Sequence, residues 1–388
     1  MNINIKKGYT KEVNIREIQA KSILRKHKKI DSWFVSRYGM NFYRGCLHNC
    51  VYCDGRAEKY NVEGEFGEDV AVKINAIEIL KRELDPARKR KPMKKSFFML
   101  GGGVGDSYQY VEKKYQLTRK ALELFCAFKH PVQILTKSTL VKRDVDILKK
   151  INEQSKVIVN FSFSSVDERI SKIFEPGVPL PGERLETITY LKNEGLTCGM
   201  FLMPVIPFIT DKPDLMEKSI VSAKEAGADF IIFSGMTLKQ GRQQNYFYEV
   251  IKKYYPELLS EYQHIYLPGE WGNAIPEYYQ AIHEAFYSLA KRYKIPIRIP
   301  ADFYRDYLNE NDLVVVILDQ MDYLLKMMGR KSPYGYSAYS ISQLNQPISS
   351  MRTDLKKLKG VGETTERIII EILDTKRSAY YEKLLWYL

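Results

Sequence analysis

Cys46, Cys50 and Cys53 stand in YRGCLHNCVYCDGR with the spacing C-x3-C-x2-C. Thiolates at that spacing let one short loop wrap three corners of a cubane iron–sulfur cluster, and the fourth iron is then left without a protein ligand. An open iron can bind a substrate or cofactor. In an electron-transfer protein a fourth cysteine would close that corner; Cys126 and Cys198 are distant and sit in apolar helix and strand patterns, as buried structural cysteines do. The alternative is a zinc site with His48 as fourth ligand. His48 would have to fold back between Cys46 and Cys50, whereas zinc motifs usually pair two separated knuckles, so His48 reads as a loop residue. With five cysteines in all, no second trio is available for an auxiliary cluster.

The elements that must position this loop are legible as alternating patterns. Short apolar runs are each followed by an amphipathic stretch: SFFML by YQLTRKALELFCAF, VQILT by RDVDILKKI, VIVNFSF by ERLETITYLKNEG, TCGMFLMPV by DLMEKSIVSAKEAGA, and then DFIIFSG. This βα repetition predicts an α/β protein with a parallel sheet, a partial (β/α)6 TIM-type barrel whose functional groups gather at strand C-terminal ends. At those ends stand Gly101, Gly102 and Gly103, then Lys137, then Ser162 and Ser164. Residues 1–35 read as a basic N-terminal extension with partly helical pattern, 36–305 as the barrel with a final strand near KIPIRIP, 306–350 as a helical connector ending in an irregular stretch, and 351–388 as a separate helical hairpin.

The totals are those of a soluble globular chain: 388 residues, 45% hydrophobic and 28% charged. Sixty basic against 47 acidic residues give a formal charge of +13, which attracts polyanions, nucleic acid foremost; a basic surface that serves only solubility is the equal alternative. The longest apolar stretch, Leu196 to Ile209, is broken by proline and the N-terminus has no signal-peptide core, so a cytoplasmic protein without a membrane partner is expected.

The cysteine loop resembles that of the radical S-adenosylmethionine superfamily, whose hallmark is this spacing with an aromatic residue before the last cysteine, as Tyr52 precedes Cys53. The resemblance implies a [4Fe-4S] cluster on Cys46, Cys50 and Cys53. It also implies S-adenosyl-L-methionine chelated to the open iron, one-electron cleavage to a 5'-deoxyadenosyl radical, and a flavodoxin or ferredoxin-type electron donor. Tyr52 and the glycine edge Gly101–Gly103 are then cofactor contacts. Lys137 suits the cofactor carboxylate, and Ser162 and Ser164 suit carboxylate or ribose. In order, NFYRGCLHNCVYCDGR, GDSYQYVEKKYQLTRKALEL, ILTKSTLVKRDVDIL, SFSSVDERISKIFEP, ERLETITYLKNEG and MPVIPFITD are similar to the spore photoproduct lyase-like branch. Asp106, Tyr108, Glu175 and Arg184 are further polar positions in these segments, without assigned roles. One departure matters: the hydrogen-donating cysteine of genuine spore photoproduct lyases has glycine in its slot, at or near Gly103.

The tail, DLKKLKGVGETTERIIIEIL, resembles a helix-hairpin-helix of DNA repair proteins. Gly360 and Gly362 permit a tight turn, free N–H groups at the following helix can hold a phosphate, and Lys356, Lys357 and Lys359 add charge. Glu363 and Glu366 oppose that reading, and a packing hairpin is the alternative. Three functions therefore stand at this point: radical chemistry on nucleic acid, the same chemistry on a peptide or small molecule, and a nucleic-acid-binding iron–sulfur protein without turnover.

Overall fold

The structure is a computed structural model that describes residues 13–89, 92–102, 104–269 and 271–386. Ten strands occur among them: β1 Asn14–Ile18, β2 Arg25–Asp31, β3 Ser36–Met40, β4 Tyr43–Arg44, β5 Asp69–Lys73, β6 Phe97–Leu100, β7 Val132–Thr136, β8 Val157–Phe163, β9 Thr197–Val205 and β10 Phe230–Gly235. Seven form one sheet in the order β10-β9-β8-β7-β6-β3-β2, and β1-β5-β4 form a small second sheet. From β3 to β10 every neighbour in the large sheet is parallel, while β2 pairs antiparallel with β3 at the edge. Six parallel strands with helical crossovers make the expected partial (β/α)6 barrel.

All seven residues of β8 are buried, as in a parallel strand covered on both faces. The helices bury one face each: Leu117–Ala127 buries Leu117, Ala121, Leu122 and Phe125, and Val145–Gln154 buries Ile147, Leu148 and Ile151. These positions recur at helical spacing and pack on the sheet, each large side chain contributing roughly 1.5–3 kcal/mol.

Three expectations of local structure change. The segment 13–31, read as helical, forms β1 and β2, because two existing strand edges, β5 and β3, satisfy its backbone better than an isolated helix could. The lysine-rich β2 is the exposed edge of the sheet, where lysine discourages further pairing. KIPIRIP is no strand: Pro296 and Pro300 lack donors, and the stretch meets β10 through Ile231 N, which donates to Pro296 O at 2.8 Å. The irregular connector holds a helix, Tyr334–Ser342.

The tail shares the barrel's core. Leu355, Ile368, Ile369, Ile372, Tyr381, Leu384 and Leu385 belong to the same buried cluster as the sheet. They pack on helix Glu310–Met327, which Asp312 ties to β3 through a buried ion pair with Arg37 (Nε–Oδ2 2.7 Å). Between Asp354 and Gly360 the chain forms a 3-10 turn, Leu355–Lys357, in place of a first hairpin helix; helices Glu363–Thr375 and Ala379–Leu385 follow.

Candidate active site

The cysteine loop leaves β4 through Gly45, whose φ of 86° and 2.4 Å separation between a would-be Cβ and Asp69 O admit only glycine. The loop has little regular structure of its own, so its backbone groups are satisfied from outside. Leu47 N donates to Gln109 Oε1 (2.9 Å), and Gln109 Nε2 donates to Gly45 O (3.0 Å). Val51 N donates to Phe174 O (2.9 Å), Gly177 N to His48 O (3.0 Å), and Gln243 Nε2 to Tyr52 O (2.9 Å). Segments following β6, β8 and β10 thus hold one loop at the sheet's C-terminal end.

Cys46 and Cys50 are buried and Cys53 nearly so; all three are free thiols. Burial pushes each thiol up, Cys50 to about 12, and Cys46 is raised further by Asp106 and by the other two sulfurs. Three soft donors in mutual electrostatic range, two of them buried and Cys53 partly so, suit a metal cluster, whose positive charge would reverse this trend and keep its ligands as thiolates. His48 is not available as a further ligand: Nδ1 contacts Gly177 O and Nε2 contacts Asp106 Oδ2, both at 3.0 Å. His48 is a strut, more than the loop residue its sequence suggested. Among the described residues no three His, Cys, Asp or Glu side chains converge on a single-ion site.

Beside the loop, the ends of β6 to β8 carry two connected polar groups. Asp106 accepts from Thr136 Oγ1 (2.8 Å), Lys137 N (2.7 Å) and Tyr108 N (2.8 Å) as well as facing His48. Burial opposes its charge, yet His48 and these donors hold it below the usual range. Glu175 forms the second centre: Arg184 Nη2 at 2.6 Å, Lys137 Nζ at 3.1 Å, and the Tyr52 hydroxyl. Burial again raises its pKa, but Arg184 and Lys137 prevail and hold the carboxyl well below the ordinary range. Lys137 Nζ also donates to Ser162 Oγ (2.7 Å) and lies 5.5 Å from the Tyr52 ring centroid.

The expected cofactor residues therefore divide. Tyr52, Lys137 and Ser162 meet around Glu175, which the sequence marked without a role. Ser164 is fully buried, and among the described residues its hydroxyl has no hydrogen-bond partner. Gly101, at φ 73°, is needed because a Cβ would lie 2.5 Å from Leu135 O, so the neighbouring strand explains this glycine. Gly102 has only Met99 at 3.4 Å, and Gly103 lies outside the described residues. Thr136, Gln109, Gln243 and Arg56 also support the site: Arg56 closes the cysteine motif itself, three residues after Cys53, while Thr136 at the end of β7, Gln109 after β6 and Gln243 in the helix Arg242–Tyr254 share no local spacing with it.

The tail residues lie elsewhere, against helix Tyr334–Ser342. Lys356 pairs with Glu366 (3.1 Å), Lys357 with Asp354 (2.9 Å), and Lys359 Nζ sits 5.4 Å from the Tyr336 ring centroid. Gly360, at φ 88°, donates no side chain to a space filled by Tyr336 and Ser337, and its carbonyl accepts from Ser337 Oγ (2.6 Å). Gly362 is the N-cap of Glu363–Thr375 and is open around its Cα.

A family model described as the radical SAM superfamily matches residues 40–219, which span the cysteine loop through β9. An uncharacterized protein of Mycobacterium tuberculosis is 30% identical over 287 residues, covering 73% of this chain and 82% of its own. An uncharacterized protein of Methanocaldococcus jannaschii is 30% identical over 224 residues, covering 57% and 78%. Among solved structures, a spore photoproduct lyase complexed with a dinucleoside spore photoproduct has the same fold, with a TM-score of 0.53 and 16% identity over 72% of this chain and 79% of that one. With its three cysteines carried at the C-terminal end of a six-strand parallel half-barrel, the chain belongs to the radical S-adenosylmethionine superfamily.

Proposed function

We propose that this chain is a radical S-adenosylmethionine enzyme acting on nucleic acid, in repair or modification, by a reaction other than spore photoproduct reversal. The observation that carries the radical chemistry is the placement of Cys46, Cys50 and Cys53 beside the buried Lys137–Glu175–Arg184 group. When bound, the [4Fe-4S] cluster and S-adenosyl-L-methionine supply a 5'-deoxyadenosyl radical by one-electron cleavage of the sulfonium. Cys46, Cys50 and Cys53 would hold the cluster as thiolates. Lys137 and Glu175 set a cation and an anion side by side, the complement of the zwitterionic amino-acid end of the cofactor. Tyr52 and Ser162 hold those two charges in place, and Arg184 pairs with Glu175 independently of Lys137, so Glu175 would stay ionised if Lys137 bound the cofactor carboxylate.

The nucleic-acid target is supported by the charge of +13 and by the fold shared with a lyase that was solved with a dinucleoside. A cavity of about 390 Å³ against His48 adds an exposed Tyr110 ring with Lys113 Nζ 4.9 Å from its centroid, a stacking face beside a cation. Cys126 and Cys198 lie on a peripheral helix and within β9, so the cysteines outside the trio offer no thiol donor to the site.

The test is anaerobic reconstitution with iron and sulfide, reduction with dithionite and addition of S-adenosyl-L-methionine. 5'-Deoxyadenosine is expected, and Cys50→Ala abolishes it; its absence from cluster-loaded wild type leaves an iron–sulfur protein without turnover. Deuterium transfer into that nucleoside from labelled DNA or RNA identifies the target, and transfer only from labelled peptide or metabolite pools sinks the nucleic-acid reading.

A further inference from the structure

We infer that Arg56 is the clamp and counter-charge of the cysteine loop, a positioning residue that raises the reduction potential of the cluster; the inference rests on the cluster reading of Cys46, Cys50 and Cys53 given above. Arg56 is 6% exposed. Its guanidinium donates from Nε to Cys50 O (3.2 Å), from Nη2 to Asn49 O (3.3 Å) and to Asn49 Oδ1, and from Nη1 to Phe66 O (3.4 Å). Asn49 sits at φ 53°, so the clamp closes on the strained turn between the first two cysteines. The Tyr246 ring centroid lies 3.6 Å from the guanidinium carbon and that of Phe66 4.9 Å away.

Two glycines leave room for this clamp. A Cβ on Gly55 would come within 2.6 Å of the Phe66 ring, and one on Gly67 within 2.2 Å of Asn49 Oδ1. Neither Phe66 nor Asn49 could close on Arg56 with a larger residue at those positions.

The partners of this cation are neutral. Arg37 and Arg184, equally buried, each face a carboxylate, whereas among the described residues no carboxylate oxygen lies within 4.0 Å of the Arg56 guanidinium. Carbonyl dipoles and ring faces offset part of the desolvation of a buried cation. The Cys50 and Cys53 thiolates, one on the gripped Asn49–Cys50 segment and the other three residues before Arg56, would provide the remaining negative charge once ligated. A fixed positive charge in a site of low dielectric stabilises the cluster state that has gained an electron. The reductant delivers that electron and no bond to Arg56 forms or breaks.

The experiment is an EPR-monitored redox titration of the reconstituted full chain as wild type, Arg56→Lys and Arg56→Gln, with iron content measured on each. At the wild-type midpoint the ratio of reduced to oxidised cluster is expected to fall about tenfold in R56Q, about 59 mV for one electron. R56K, which keeps the charge, stays close to wild type. An R56Q midpoint equal to wild type overturns the inference. If R56Q does not retain iron, R56K decides: full iron and a wild-type midpoint support the charge, and failure of R56K as well overturns it in favour of shape alone. A wild-type chain that takes up no cluster overturns the reading of the cysteines themselves, which is a separate outcome.

Discussion

Lysines were singled out at two places, the end of β7 and the tail, and the structure treats them differently. Lys137 has a side chain 13% exposed and faces a fully buried Glu175. Lys356 and Lys357 have side chains 59% and 73% exposed and pair with carboxylates at the surface. In the first setting each charge is held by few fixed partners at low dielectric, so removing one leaves others stranded. In the second, water and salt replace what is removed. A lysine therefore points to a site by its surroundings more than by its spacing.

The largest contrast is expected from Glu175→Ala. Arg184 and Lys137 lose their carboxylate inside the barrel, and the unfolding free energy in urea should drop by about 3–5 kcal/mol; a loss under about 1 kcal/mol would place this group on the same footing as the tail. Acid should reveal the same difference. Glu175 is held below its ordinary value of 4.5 in the fold, so its stabilisation is full above that value and is lost as pH falls through the lower folded value. Unfolding measured between pH 6 and 3 should show a steeper decline in wild type than in Glu175→Gln.

Lys137→Met should weaken binding of S-adenosyl-L-methionine to cluster-loaded protein about tenfold or more, since one charge-assisted hydrogen bond contributes about 1.5–3 kcal/mol. Calorimetric titration checks this, and unchanged affinity would remove Lys137 from the cofactor site.

The smallest effects belong to the tail. Lys356→Ala and Lys357→Ala should each change stability by no more than about 1 kcal/mol. If the tail grips a phosphate backbone, each also lowers the salt dependence of DNA or RNA affinity by about one unit in slope. Deleting residues 351–388 would be a poor substitute, because it strips Ile369, Tyr381 and Leu384 from the common core.

The βα succession from β6 to β10 and the spacing of the cysteine trio are legible because each is a short-range signal: β-branched runs followed by amphipathic helices, and three thiols in one loop; β3, the sixth parallel strand, gives no such signal. The 13–31 segment misled because its pattern is ambiguous until an edge strand is there to receive it. Gly101 was read as a ligand edge, but the close passage of β7 accounts for it, and only packing reveals a neighbour 34 residues away in sequence.

What the sequence determined by itself is the chemistry that can be carried: three soft ligands with one corner left open, on a βα framework that brings them to strand ends. The tertiary structure decided which charges count. Asp106, Glu175 and Arg184 are ordinary polar residues until folding removes water from around them and leaves Glu175 and Arg184 facing each other and Asp106 facing His48 and Thr136. Arg56 became visible in the same way, since its partners come from the cysteine loop, the Phe66 turn and the helix bearing Tyr246. Hydrogen bonding and low dielectric act through space, and no spacing along the chain encodes them.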